Sequence, residues 1–251
     1  MATGGRPAGA GGARVAFLTN FVPPYRTPVL RALGERVGGL RILVSTPMEG
    51  NRSWVPDWEG LDVRVQRGVS LPRRWRHPGG FTERLAFHVP LDTGRRLDEF
   101  DPDLVIAAEM GPRTSQAAWW TARRGRPLVI WATLSERTEA GRGPLRRLLR
   151  RGLLARAAAV LVNGESGAAY IRSFGFPEDR IHRVNQASPV GLGSGPEHGD
   201  AAAGAAPLHL LVVGQIVERK GIGPFLEGLR ALYGGTRREA WRASVSPSER
   251  N

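Results

Sequence analysis

The sequence predicts an α/β protein built on a doubly wound parallel sheet, because short apolar strand patterns alternate with segments of helical spacing along most of its 251 residues. The strand segments are apolar in continuous runs rather than in alternation, which marks a sheet covered on both faces. A hydrophobic content of 41% supplies the core that such a sheet needs.

Residues 1–13, mostly Gly and Ala, read as a disordered tail. Strands are then expected over Arg14–Thr19, Leu40–Ser45, Leu61–Arg67, Leu104–Ala107, Leu128–Ala132 and Ala159–Asn163. Helical spacing occupies Thr27–Val37, Thr82–Phe100, Pro112–Arg124, Pro144–Ala157 and Glu165–Phe174. Thr27-Pro28 and Gly143-Pro144 place proline in a first turn, and Gly125 and Gly175 stand just past helix ends. Arg73-Arg74-Trp75-Arg76-His77 reads as a basic loop, and Asp101-Pro102-Asp103 as a helix stop and turn rather than a metal motif.

These elements make one Rossmann-like domain over residues 14–186. From Ala187 to Pro207 the text becomes Gly, Ala, Pro and Ser without apolar periodicity, which reads as a linker over 187–207. A buried strand over Leu208–Val213, a loop over Gly214–Gly221 and an amphipathic helix over Ile222–Tyr233 make one βα unit, residues 208–233. It opens a second Rossmann-like domain that is incomplete as written, since one βα unit cannot cover both faces of a sheet. Residues 234–251 read as an irregular tail.

The chain has no cysteine, which excludes disulfides, thiolate metal sites and cysteine nucleophiles and makes reduced cytoplasm the default compartment. No stretch reaches the roughly 20 apolar residues of a membrane span. The formal charge of +13 suits an anionic partner: nucleic acid, phosphorylated substrates or a membrane surface. Nucleic-acid motifs are missing, so no specific nucleic acid is expected. His77, His88, His182, His198 and His209 lack metal-ligand spacing, so neither a metal nor another cofactor is assigned. In Pro144–Ala157, Arg146, Arg147, Arg150 and Arg151 oppose Leu145, Leu148, Leu149 and Leu153. The favoured reading turns those leucines to the core and the arginines to solvent; the alternative lays the helix on anionic lipid.

The most informative segment is the loop Gly214–Gly221. Gly214 lets the chain turn off a strand, Gly221 permits close approach at a helix start, and that helix N-terminus favours a phosphate. Lys220 adds a compact cation there, and it is the only lysine in a chain whose other basic residues are arginine.

This loop with the helix after it resembles the donor-domain opening of family 4 retaining glycosyltransferases of the GT-B class. Upstream, Arg14–Leu33 with Asn20, Phe21 and Pro23-Pro24-Tyr25 is similar to the start of their acceptor domain. Trp131–Thr138, Leu161–Gly175 and Phe176–Val184 are similar to its last strands and helices. The resemblance spans roughly residues 14–233 and implies a GT-B acceptor-side domain followed by a truncated donor domain. It implies donor diphosphate binding by Gly214, Gln215, Arg219, Lys220 and Gly221. Gln215 stands where the family more often has Arg, and it can donate a hydrogen bond without charge. The family's downstream Glu-x7-Glu pair has no counterpart among Glu227, Glu239 and Glu249.

Ligands of an open α/β sheet gather at the carboxyl ends of its strands. Asn20, Arg26, Glu109, Glu136 and Arg137 lie at such ends and are the acceptor-side candidates: carboxylates to orient hydroxyls, arginines to meet an anionic group. The expected function is transfer of a sugar from a nucleotide-sugar donor to an unknown acceptor with retention, inactive as truncated in one version. The alternative is a catalytically dead remnant acting as a binding module. The expected location is cytoplasmic, with peripheral contact at the inner face of an anionic membrane as a further option. A dinucleotide oxidoreductase is disfavoured, because Thr19–Pro23 lacks Gly-x-Gly-x-x-Gly.

Overall fold

A computed structural model describes residues 12–49, 55–76, 82–186, 210, 212 and 220–233. The chain divides into two compact units, Met1–Pro78 with Thr82–Gly195, and Gly79–Phe81 with Pro196–Asn251.

Seven parallel strands form the sheet of the first unit: β1 (Arg14–Thr19), β2 (Gly39–Val44), β3 (Asp62–Val65), β6 (Leu104–Ala108), β7 (Leu128–Ala132), β8 (Ala159–Val162) and β9 (Ile181–Arg183). Their spatial order is β3-β2-β1-β6-β7-β8-β9. The order reverses between β1 and β6, where connections leave in opposite directions and a crevice opens at the strands' carboxyl ends.

Alternate residues of each strand divide the core between the two faces. Ala16, Leu18, Val105, Ala107, Ile130 and Val160 pack with residues of the helices α2 (Thr93–Phe100), α3 (Pro112–Arg124), α5 (Pro144–Leu154) and α6 (Glu165–Arg172). Phe17, Ile42, Val44 and Trp131 pack on the other side with Leu30 of α1 (Thr27–Gly34). Burial on both faces is why these strands are continuously apolar.

Local chemistry sets the helix ends. Pro112 opens α3, and Gly125 closes it in the left-handed region at φ 62°. Asp101 stops α2 at φ 45°, and the Asp103 carboxylate accepts from the Arg14 backbone N–H at 2.9 Å and from Arg126 at 3.0 Å. The Asp-Pro-Asp turn is thus structural.

The segment Thr82–Phe100 is not one helix. Its first half is β5 (Thr82–Pro90), paired antiparallel with β4 (Gly68–Arg76) so that Leu71 faces Phe87 and Val69 faces Val89 across the ladder. Only Thr93–Phe100 is helical. Pro90 explains the split: within a helix it would remove a hydrogen bond and clash with the preceding turn. Arg73–Arg76 accordingly lies in a strand, not in a loop. β9 and a short helix α4 (Glu136–Glu139) add to the expected elements.

In the second unit, α7 (Ile222–Tyr233) occupies the expected range. Residues 1–11 of the tail expected over 1–13, His77, the linker over 187–207, residues 214–219 of the loop expected over Gly214–Gly221 and the tail over 234–251 lie outside the described residues. So does the strand expected over Leu208–Val213, apart from Leu210 and Val212.

Candidate functional site

The carboxyl ends of β1, β6 and β7 enclose a cleft of about 240 Å³. The chain leaving β1 supplies Asn20, Tyr25 and Arg26; Glu109 follows the end of β6, and Trp131 of β7 is joined by Thr133 just beyond it. Three of the five acceptor-side candidates, Asn20, Arg26 and Glu109, therefore come together. Glu136 and Arg137 do not: both are exposed on α4 and neither lines this cleft. The acid of α4 that turns inward is Glu139, whose carboxylate contacts Arg142, Arg146 and the buried Arg150.

Arg26 is half-buried, its guanidinium 4.9 Å from the centre of the Trp131 ring. Burial holds its pKa below the usual arginine value, and the charges of Tyr25 and Glu109 offset part of that effect. Trp131 is itself fixed by an edge-to-face contact with Phe17 and by donating from Nε1 to Asn163 at 3.2 Å. Glu109 sits in the left-handed region at φ 68°, rare for a side chain of this kind and a cost of order 1–3 kcal/mol. Its N–H donates to the Trp131 carbonyl at 2.8 Å, and its own carbonyl accepts from the Thr114 hydroxyl at 2.6 Å. Those two bonds hold the strained backbone, and the charge of the exposed carboxylate acts on both Arg26 and Arg113.

Sequence reasoning missed Arg113, in the first turn of α3 and only 5% exposed. It donates to Asn20 Oδ1 at 2.8 Å, to Ser45 Oγ at 2.6 Å and to the Ala108 carbonyl at 3.3 Å. Burial pushes its pKa down to about 10, with the Glu109 charge opposing, so it remains a cation at neutral pH. A cation at a helix start opposes the helix dipole, and that mismatch was the available signal.

The donor-loop candidates Gly214, Gln215 and Arg219 lie outside the described residues. Lys220 is exposed, and Gly221 adopts φ 67° while its carbonyl accepts the Phe225 N–H at 3.0 Å, starting α7. Glycine is required there because L side chains rarely tolerate that φ.

The favoured reading of α5 holds for Leu153, which is buried, and for Arg147 and Arg151, which are exposed, but fails for the other three leucines and for Arg150. Arg150, Leu153 and Leu154 face the core, while Leu145, Leu148 and Leu149 are 78%, 66% and 45% exposed. The Arg150–Glu139 ion pair and the bond from Arg150 to the Tyr170 hydroxyl at 2.8 Å fix this rotation of the helix. No helix among the described residues is long and apolar enough to cross a membrane.

A doubly wound parallel sheet with a crevice at its reversal point defines a Rossmann-like α/β domain. The family model for the glycosyl transferase 4-like domain matches residues 8–186, and the chain belongs to that family. Among solved structures, it is similar to Anabaena HepE in complex with UDP-glucose, with 11% identity, a TM-score of 0.46, and coverage of 70% of this chain and 44% of that one. It is also similar to UDP-GlcNAc 2-epimerase from Methanocaldococcus jannaschii (13%, TM-score 0.43, 68% and 45% covered). A further likeness is to the Neisseria meningitidis UDP-GlcNAc 2-epimerase bound to UDP-GlcNAc (12%, 0.42, 69% and 47%). The chain spans a little under half the length of these structures. No curated protein matches it.

Proposed function

We propose that the chain serves glycosyl transfer from a nucleotide-sugar donor, with the cleft of the first unit receiving the acceptor. The observation that carries this reading is that the family match over residues 8–186 coincides with the domain whose reversal point holds Asn20, Arg26 and Glu109. In the transfer, an acceptor hydroxyl oxygen bonds to the anomeric carbon as the bond to the donor diphosphate breaks. Glu109 is suited to take up the proton that the hydroxyl loses as it bonds, and Arg26 and Asn20 to hold a more distant polar group. The nucleoside diphosphate leaves with the bonding pair; within the second unit, Lys220 is the cation suited to binding a diphosphate. Retention of configuration goes with the family 4 resemblance.

Purified chain incubated with a panel of nucleotide sugars and cell-extract acceptors, followed by assay of released nucleoside diphosphate, tests the reading. Turnover is expected to fall at least about tenfold in Glu109→Gln. No release with any donor, combined with saturable acceptor binding at the cleft, favours the alternative of a binding module without turnover. Lys220→Ala is expected to weaken nucleoside diphosphate binding in titration calorimetry.

Peripheral contact with an anionic membrane on the cytoplasmic side is supported by Leu145, Leu148 and Leu149 standing exposed on α5. On the same helix Arg147 and Arg151 are exposed as well and place positive charge beside those leucines. Burying a leucine is worth about 1.5–3 kcal/mol. Flotation with phosphatidylglycerol vesicles should lose most bound protein in Leu145→Ser/Leu148→Ser, and undiminished flotation would remove this contact from the reading.

A further inference from the structure

Arg113 is a buried cation without a carboxylate bonded to it among the described residues, and its Nε–H, also buried, has no hydrogen-bond partner. Its other nitrogens bond only neutral acceptors, those of Asn20, Ser45 and Ala108. A guanidinium has donors and no acceptor, so the group Asn20 presents to it can only be the carbonyl oxygen. The Asn20 amide nitrogen is thereby left for the cleft that this residue lines beside Arg26. Without Arg113 the amide would be free to turn over and present either end.

We propose that Arg113 is a positioning residue: it locks the Asn20 amide with its NH2 toward the cleft, and together with Arg26 this makes a subsite for a ligand oxyanion. The subsite rests on the cleft reading above and names the chemistry it takes, a phosphate or carboxylate oxygen. The charge of Arg113 serves twice, by orienting the amide and by adding positive field beneath it. Glu109 lines the same cleft and its charge acts on both Arg26 and Arg113, so it limits the subsite to one oxyanion and faces the neutral polar part of the ligand. The ligand is thus an anionic molecule with a neutral polar portion.

Titration of the full chain with inorganic phosphate, by calorimetry and by the Asn20 side-chain NH2 resonances, tests this. Saturable binding with a shift of those resonances is expected, weakened at least about fivefold in Arg26→Gln and in Arg113→Met. Arg113→Lys, which still donates to Asn20, should retain more affinity than Arg113→Met. Asn20→Asp guards against misfolding, because the new carboxylate pairs with Arg113 while presenting no donor; it should fold stably and lose phosphate binding. Unchanged affinity in Asn20→Asp or Arg113→Met overturns the proposal. So does binding that survives Arg26→Gln but vanishes in Lys220→Ala. Competition by UDP that persists in Lys220→Ala upholds the subsite and assigns it to the donor diphosphate, and absence of competition upholds it for an acceptor anion. Phosphate binding without sugar turnover would sink the transfer reading alone.

Discussion

Two buried arginines in one domain behave as opposites. At the root of α5, Arg150 is 1% exposed, faces the carboxylate of Glu139 and donates to Tyr170. Beneath the cleft, the nearly as buried Arg113 has no carboxylate bonded to it among the described residues and points its donors at neutral oxygens of three separate segments. Desolvating a guanidinium costs several kcal/mol, and only a well-paired one recovers that cost. Arg150 is therefore accounted for by stability, because it fastens α4 to α5. Arg113 is not, and its place under a crevice points to function. The nearby left-handed Glu109 repeats the pattern, since strain gathers at the same strand ends.

The sharpest way to break the contrast is to strip each arginine of its partner. Glu139→Ala leaves Arg150 buried and uncompensated and should cost about 3–5 kcal/mol in urea unfolding. A loss under about 1 kcal/mol would mean that the corner around α4 opens readily and that the pair is not the fastening described.

Asn20→Asp supplies Arg113 with the carboxylate it lacks among the described residues. It should stabilise the fold at pH 7 by about 1.5–3 kcal/mol, the range of a hydrogen bond to a charged group. The new carboxylate would have a folded pKa below its unfolded value of about 3.9. Its contribution should then be fully present above that pH and disappear as pH falls through the folded pKa. A thermal-melt series between pH 7 and 3 checks this, and a destabilised variant at pH 7 would show that Arg113 does not need charge compensation.

Arg113→Met should change stability by no more than about 1 kcal/mol, because the hydrogen bonds it loses are offset by relief of a buried charge. A loss as large as that of Glu139→Ala would make the two arginines alike and undo the comparison.

The smallest effect belongs to an exposed pair. The Glu165 carboxylate is held below the usual range first by its hydrogen bond from Arg183, then by that from Arg172. Solvent screens both contacts, so Glu165→Gln should shift the melting temperature less than any variant above. What shift there is should be present above the ordinary glutamate pKa, fade as pH falls through the lowered folded value, and shrink in salt. A large, salt-insensitive change would refute that ordering.

Legibility in the sequence followed how local each cause is. β1 and α3 are where their own residues place them, because Pro112 and Gly125 punctuate α3 and Arg14–Thr19 is apolar almost throughout. The hairpin β4–β5 was misread because helical spacing was allowed to run through Pro90, a local signal given too little weight. In the site, Asn20, Arg26 and Glu109 were legible as polar residues where strands end. Glu136 and Arg137 satisfied the same rule and missed the cleft, since the short α4 turns Glu139 inward and leaves those two outside.

By itself, then, the sequence determined the parallel α/β class, the strands buried on both faces and the family resemblance, all of which depend on residue type and short-range spacing. The tertiary structure alone decided which charges were buried. Arg113 meets Asn20 across 93 positions and Ser45 across 68, and Arg150 meets Tyr170 across 20. No periodicity encodes such meetings. Whether a guanidinium is solvated, paired or left to orient a neighbour depends on what chain closure brings to it, and an arginine reads the same in all three circumstances.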